Sequence, residues 1–149
     1  MTLDKIISRL ILVGFLVGFL GLAIMGGFYL DPLLYPAEIN AEAPSARSEL
    51  RAIFGGGGLA LVFACIYAWR SPDHRPMVFA MFALLFASFA AFRALSTLLD
   101  GPPNAHATLM QAVEMASALI AIVGWSMEQR ILIVGASHVN SISPKEDSD

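Results

Sequence analysis

A chain of 149 residues that is 57% hydrophobic and only 14% charged has too little polar surface for a water-soluble domain of its size, so the membrane is its natural solvent. Its net charge is −3 and its basic residues stand singly, which argues against nucleic acid as a partner because no cluster tracks phosphates. The single cysteine, Cys65, lies in an apolar run; it excludes an intrachain disulfide or a multi-cysteine metal site and reads as a small packing residue.

Residues 6–30 form the first apolar run, with Lys5 before it, Arg9 near its start and Asp31-Pro32 at its end. About 20 residues span the hydrocarbon, so the run is long enough to cross. It reads as a retained helix rather than a signal peptide, because the core is long and no A-x-A-like cleavage site follows. Gly14 and Gly18 form a G-x-x-x-G pair, a face that lets another helix approach closely, either within the chain or from a partner. Residues 31–47, with Pro32, Pro36, Pro44 and three acids, read as an extended acidic connector.

The second helix is expected over 48–69, with Ser48 capping it and Glu49 favoured by the dipole at its start. On a regular helix Arg51, Gly55, Gly58, Val62 and Cys65 share one stripe, which sets Arg51 above a groove without side chains. Residues 70–76 make a basic turn in which Pro72 and Pro76 keep two helices from fusing. The third helix spans 77–99, with a stripe of alanines and a stripe of Phe79, Phe82, Phe86 and Phe89. Residues 100–104 end it, and the fourth helix spans 108–134. The remainder, 137–149, is polar and reads as a disordered tail.

Lys5, Arg9, Arg70, Arg75, Arg130 and Lys145 fall on one side of these spans, whereas only Arg47 and Arg51 flank the first connector. The positive-inside rule therefore puts both termini in the cytoplasm. The fold class follows: an all-α, integral membrane, four-helix up-down-up-down bundle in a single domain, 1–136.

Within this topology the ionisable residues converge. Arg93 and Glu114 each lie on the order of 10 Å inside a helix end, matched in depth and opposite in sign. Unpaired charges there cost about 2.5 kcal/mol or more, so an Arg93 to Glu114 ion pair, or a network shared with Arg51, is expected. On the fourth helix Gln111, Glu114, Ser117, Ala121 and Gly124 form one stripe, and Ser96 and Thr97 stand a turn from Arg93. Asp100 and His106 lie above the same region. Together these outline an outward-opening pocket floored by the glycines of the second helix and walled by Phe86 and Phe89. The same residues also admit a purely structural reading, in which buried charges only fix helix register.

Ser48-Glu49-Leu50-Arg51-Ala52-Ile53-Phe54-Gly55-Gly56, then Arg93, Ser96 and Asp100-Gly101-Pro102, and finally Glu114, resemble the small four-helix bacterial membrane proteins grouped as the DUF4345 family. The resemblance covers the chain from the first helix to the fourth. It implies a bacterial inner-membrane protein and marks Glu49, Arg51, Gly55, Gly56, Arg93, Asp100 and Glu114 as the binding site. Family members often carry an aromatic such as Tyr before the glycine pair, where this chain has Phe54. No activity is established for the family.

Three functions compete. The first is a non-enzymatic binding or accessory module that holds a lipid-like or amphipathic molecule, or docks on partner membrane helices through Gly14 and Gly18. The second is a proton-coupled transporter using Glu114, weakened because the inner halves of the helices offer no further ionisable residue. The third is a membrane enzyme with Glu114 as base, for which no residue is marked as nucleophile. No cofactor and no metal are expected.

Overall fold

The computed structural model describes the backbone of residues 3–142 and the side chains of residues 3–133. Four long helical stretches are each apolar and long enough to cross a membrane, and the chain is a multi-pass membrane protein. The first is α1, Leu3–Phe28. A short helix α2, Leu30–Leu34, and a 3-10 turn, Tyr35–Ala37, follow it. The second long stretch is continuous but composite: α3, Pro44–Leu50, a π-helical turn, Arg51–Gly56, and α4, Gly57–Arg70. A 3-10 turn, Pro72–His74, leads to α5, Arg75–Asp100, and the last described element is α6, Ala105–Ile142.

Several boundaries differ from the sequence reading, each for a local reason. The connector is folded rather than extended. Pro32 sits in the first turn of α2, where its missing N–H would have had no intrahelical partner. Glu38 closes the next turn with φ 58°, in the left-handed region. Leu30, Leu34 and Ala41 are buried there against Ala46, Leu50 and Phe54, so apolar side chains hidden among the prolines hold the segment. The second long helix starts at Pro44, one turn earlier than expected, which places Ser48 and Glu49 inside it. Ser48 therefore caps nothing, and the residue before the helix, Ala43, has no capping side chain. Asn104 does cap α6, accepting a 2.8 Å hydrogen bond from the Ala107 N–H. Helix α6 continues through residues 137–142, where a disordered tail was expected, because no proline interrupts it before Pro144. The rest of that expected tail, 143–149, lies outside the described residues.

The pairing of the helices is uneven. Helix α5 packs along α6, α1 packs along the π turn and α4 and also against α6, while α4 and α5 barely touch. The first seam is built on glycine. A Cβ on Gly26 would lie 2.6 Å from the Gly55 nitrogen, and one on Gly58 would lie 2.8 Å from the Ala23 nitrogen. Two backbones meet there with nothing between them. Residue numbers rise on α1 as they fall on its neighbour, so Gly58 sits at Ala23 and Gly55 at Gly26 and Gly27. The core beside this seam contains Leu12, Phe19, Val62, Cys65, Val78, Phe79, Phe82 and Ala121. Phe15 and Phe19 of α1 meet Phe82 and Phe86 of α5 with ring centroids 5.1–6.0 Å apart, tying the two helix pairs together.

Candidate functional site

Arg93 and Glu114 form the expected pair. The Arg93 Nε donates to both carboxylate oxygens of Glu114 at 2.9 Å. Glu114 is sheltered, with 12% of its side chain exposed, whereas Arg93 keeps 43% exposed. Helix periodicity puts Glu114 on the inward stripe of α6, where Ala121 and Gly124 are also buried and Gln111 and Ser117 half-buried. The Thr97 hydroxyl donates to the Arg93 carbonyl at 3.0 Å, while the Ser96 hydroxyl donates to Asp100 at 2.8 Å. Asp100 thus stays about two turns beyond Arg93 on α5 and bonds to neither member of the pair.

A groove of about 420 Å³ runs between α1 and α6 on this side of the bundle. Phe19 and Phe86 line it with Val113 and Ser117, and Gly14 and Gly18 form part of its α1 wall. No atom lies within 4 Å of where a Cβ on either glycine would stand, so these glycines leave space and do not pack against another helix of the chain. Phe86 and Arg93 are seven residues apart on α5 and share a face, and Val113 and Ser117 flank Glu114 on α6. Arg93 and Glu114 do not themselves line the groove, but they stand on the same helix faces as residues that do, Phe86 of α5 and Ser117 of α6. A second hollow, of about 530 Å³, is lined by Tyr35, Pro36, Glu38, Ile39 and Asn40 alone and is a dip within one turn of the connector.

The motif on the second long helix goes elsewhere, which corrects the expected pocket. Gly55 and Gly58 face the backbone of α1 and floor no cavity, and Gly56 is exposed with open space around it. Phe89 is 49% exposed, so it is no wall, although Phe86 is. Arg51 does not join Arg93 and Glu114; its charge acts instead on Asp31 of the connector. The stripe on which regular spacing sets Arg51 faces α1 at Gly55 and Gly58, and Arg51 itself lies in a π turn that departs from that spacing. Glu49 is exposed just before that turn. At the same end Arg47 binds Asp31 through two hydrogen bonds, 2.6 and 3.0 Å, clamping the connector to the second helix. The Arg47 hydrogen bond and charge, with the charge of Arg51, hold the Asp31 carboxyl below its ordinary 3.8 although burial acts the other way.

At the opposite end the structure contains a polar centre that the sequence reading lacked. Ser8, Arg75 and Glu128 are all buried, at 0%, 5% and 3% exposure. The Ser8 hydroxyl donates to Glu128, and the Arg75 guanidinium lies 3.7 Å from the same carboxylate. Arg75 also donates to the Ala68 and Trp69 carbonyls at 2.8 and 3.2 Å, closing the end of α4. Arg9 stands over the Trp69 ring, 5.6 Å from its centroid. The inner halves of the helices are therefore not free of ionisable residues, and Arg75 belongs to the core rather than to a solvated basic turn. The signal for Glu128 was present: it continues the stripe of Gln111, Glu114, Ser117, Ala121 and Gly124 by four residues. Among the described residues no three His, Cys, Asp or Glu side chains come together as metal ligands, and Asp100, His106 and Glu114 do not form such a group.

The family model described as "Domain of unknown function (DUF4345)" matches residues 7–125, which include both Arg93 and Glu114. No curated protein and no solved structure matches the chain.

Proposed function

The chain belongs to the DUF4345 family, and from that premise we propose that it is a non-enzymatic binding module holding an amphipathic small molecule, with the polar head at Arg93 and Glu114 and the apolar part in the neighbouring groove. The observation that carries this reading is that a sheltered ion pair shares the helix faces of an apolar groove left open by two glycines. A volume of about 420 Å³ falls in the usual range of small-molecule sites, about 300–1,000 Å³. The setting we propose is a bacterial inner membrane crossed up-down-up-down with both termini in the cytoplasm, on the strength of the asymmetry of Lys and Arg. Arg93 and Glu114 then lie in the outer half of the bilayer.

Transport is the second reading, and Glu128 favours it by supplying an acid on the same face of α6 as Glu114. Against it, Leu12, Phe79, Phe82 and Ala121 belong to one close-packed apolar cluster, and beyond Ser117 the stripe of α6 between the two acids holds only Ala121 and Gly124. Chemistry on a substrate has less support, because among the described residues the hydrogen-bond partner of Glu114 is Arg93 and not a nucleophile.

The test is to purify the chain from membranes in a mild detergent, extract it with organic solvent and identify released amphiphiles by mass spectrometry. The wild type carries one class of amphiphile near equimolar amount, and Gly18→Leu, which fills open space, loses it. A wild type that releases only what an unrelated four-helix protein releases defeats the reading.

A further inference from the structure

Building on that reading of the Arg93 site, we propose that the amphiphile's head is anionic and that the occupant is a phospholipid of the host bilayer, its phosphate on Arg93 and one acyl chain in the groove between α1 and α6. The pairing geometry carries this choice. Both Glu114 oxygens are engaged by the Arg93 Nε, and neither terminal nitrogen of the guanidinium has a hydrogen-bond partner among the described residues. A guanidinium presents five N–H donors, so the four on its terminal nitrogens make no bond to Glu114. In hydrocarbon an unsatisfied donor is costly and must find an acceptor. The sheltered partner of the pair is the acid and the exposed one is the base, at 12% and 43% side-chain exposure. A visitor from the lipid therefore meets positive charge and free donors, which suits a phosphate and repels an ammonium.

The groove supplies the rest of the lipid's chemistry. Phe86 lies two turns along α5 from Arg93 on the same face, and Gly14 and Gly18 leave width for a hydrocarbon chain beside Phe19. Ser117 is the single polar residue among those that line it.

The test compares phosphatidylglycerol with phosphatidylcholine of identical acyl chains, titrated onto delipidated protein in detergent and read by native mass spectrometry. Both lipids offer the same phosphate and only choline adds an ammonium that the Arg93 charge repels, so the glycerol lipid is expected to bind about tenfold tighter. The double variant Arg93→Gln with Glu114→Gln, which leaves no buried charge unpaired, loses the preference but keeps weak binding of both lipids. Gly18→Leu weakens both lipids together. Equal binding of the two lipids by wild type, with Gly18→Leu still weakening both, overturns the anionic head while the amphiphile reading stands. Failure of any lipid to bind takes down both. A wild-type dimer that Gly18→Leu converts to a monomer means the groove seats a second copy, and the lipid proposal is then wrong.

Discussion

Arg75 and Glu128 show how much one buried ion pair depends on its surroundings. Removing one partner leaves the other charge stranded, at a cost of about 3–5 kcal/mol. Arg75→Ala strands Glu128 and also opens the end of α4, so it lowers the unfolding midpoint sharply in a thermal melt in detergent. Ser8→Ala removes only the hydroxyl donor, and about 1–3 kcal/mol is expected. Equal and negligible effects of the two would show that this centre is wetted rather than buried. Arg93 and Glu114 were legible in the sequence, because two opposite charges at equal depth must meet. Glu128 was missed because it lies within two turns of the expected end of the fourth span at residue 134, where a charge ordinarily reaches water, although four-residue spacing already aligned it with the stripe of Glu114. Asp31 offers a test by pH. Its folded carboxyl titrates below the ordinary 3.8, so the clamp to Arg47 is complete above the unfolded value and disappears as the pH falls through the lower folded one. Arg47→Gln should raise the Asp31 midpoint in an NMR titration; an unchanged midpoint would mean the clamp does not persist in solution.

The second long helix explains most of what the sequence did not reveal at the level of elements. Its glycines signalled close approach, and close approach occurs, but to α1 and not to a ligand. Helical-wheel reasoning assumes 3.6 residues per turn, and the π turn over Arg51–Gly56 breaks that assumption at the motif itself. No rule of spacing applied to this chain alone announces such a turn. The glycines of the seam and those of the groove now make opposite predictions. Gly58→Leu drives a side chain into the backbone at Ala23, and Gly26→Val drives one into Gly55; overpacking of this kind costs about 1–3 kcal/mol or more and lowers the yield of folded protein. Gly14→Ala meets nothing and leaves yield and melting temperature unchanged. A reversed order in size-exclusion profiles would mean that the α1 seam lies on its other glycine face.

For the whole molecule, four spans were readable from hydropathy because few soluble folds tolerate such runs, and the folded connector was not, because its buried leucines are spaced among prolines. The proposed sidedness has a direct test. Cys65 is 1% exposed, so the native thiol contributes little background. Ser45→Cys, on the exposed start of α3, should react with a membrane-impermeant maleimide added to intact cells, and Asp73→Cys in the opposite turn only after lysis. The reverse pattern inverts the topology and moves the Arg93 site to the cytoplasmic half.

The near absence of contact between α4 and α5 bears on how such a chain is made. During synthesis the glycine seam has both its partners once residue 70 has left the ribosome, and it owes nothing to the later helices. The second hairpin likewise completes its own packing. There remains the docking of the second half along the flank of α1, where phenylalanine rings and the Ser8 hydroxyl receive it, and at the end of α4, whose carbonyls Arg75 takes up. Insertion can thus proceed in two installments, with the N-terminal helix serving as the waiting surface for the last one to arrive.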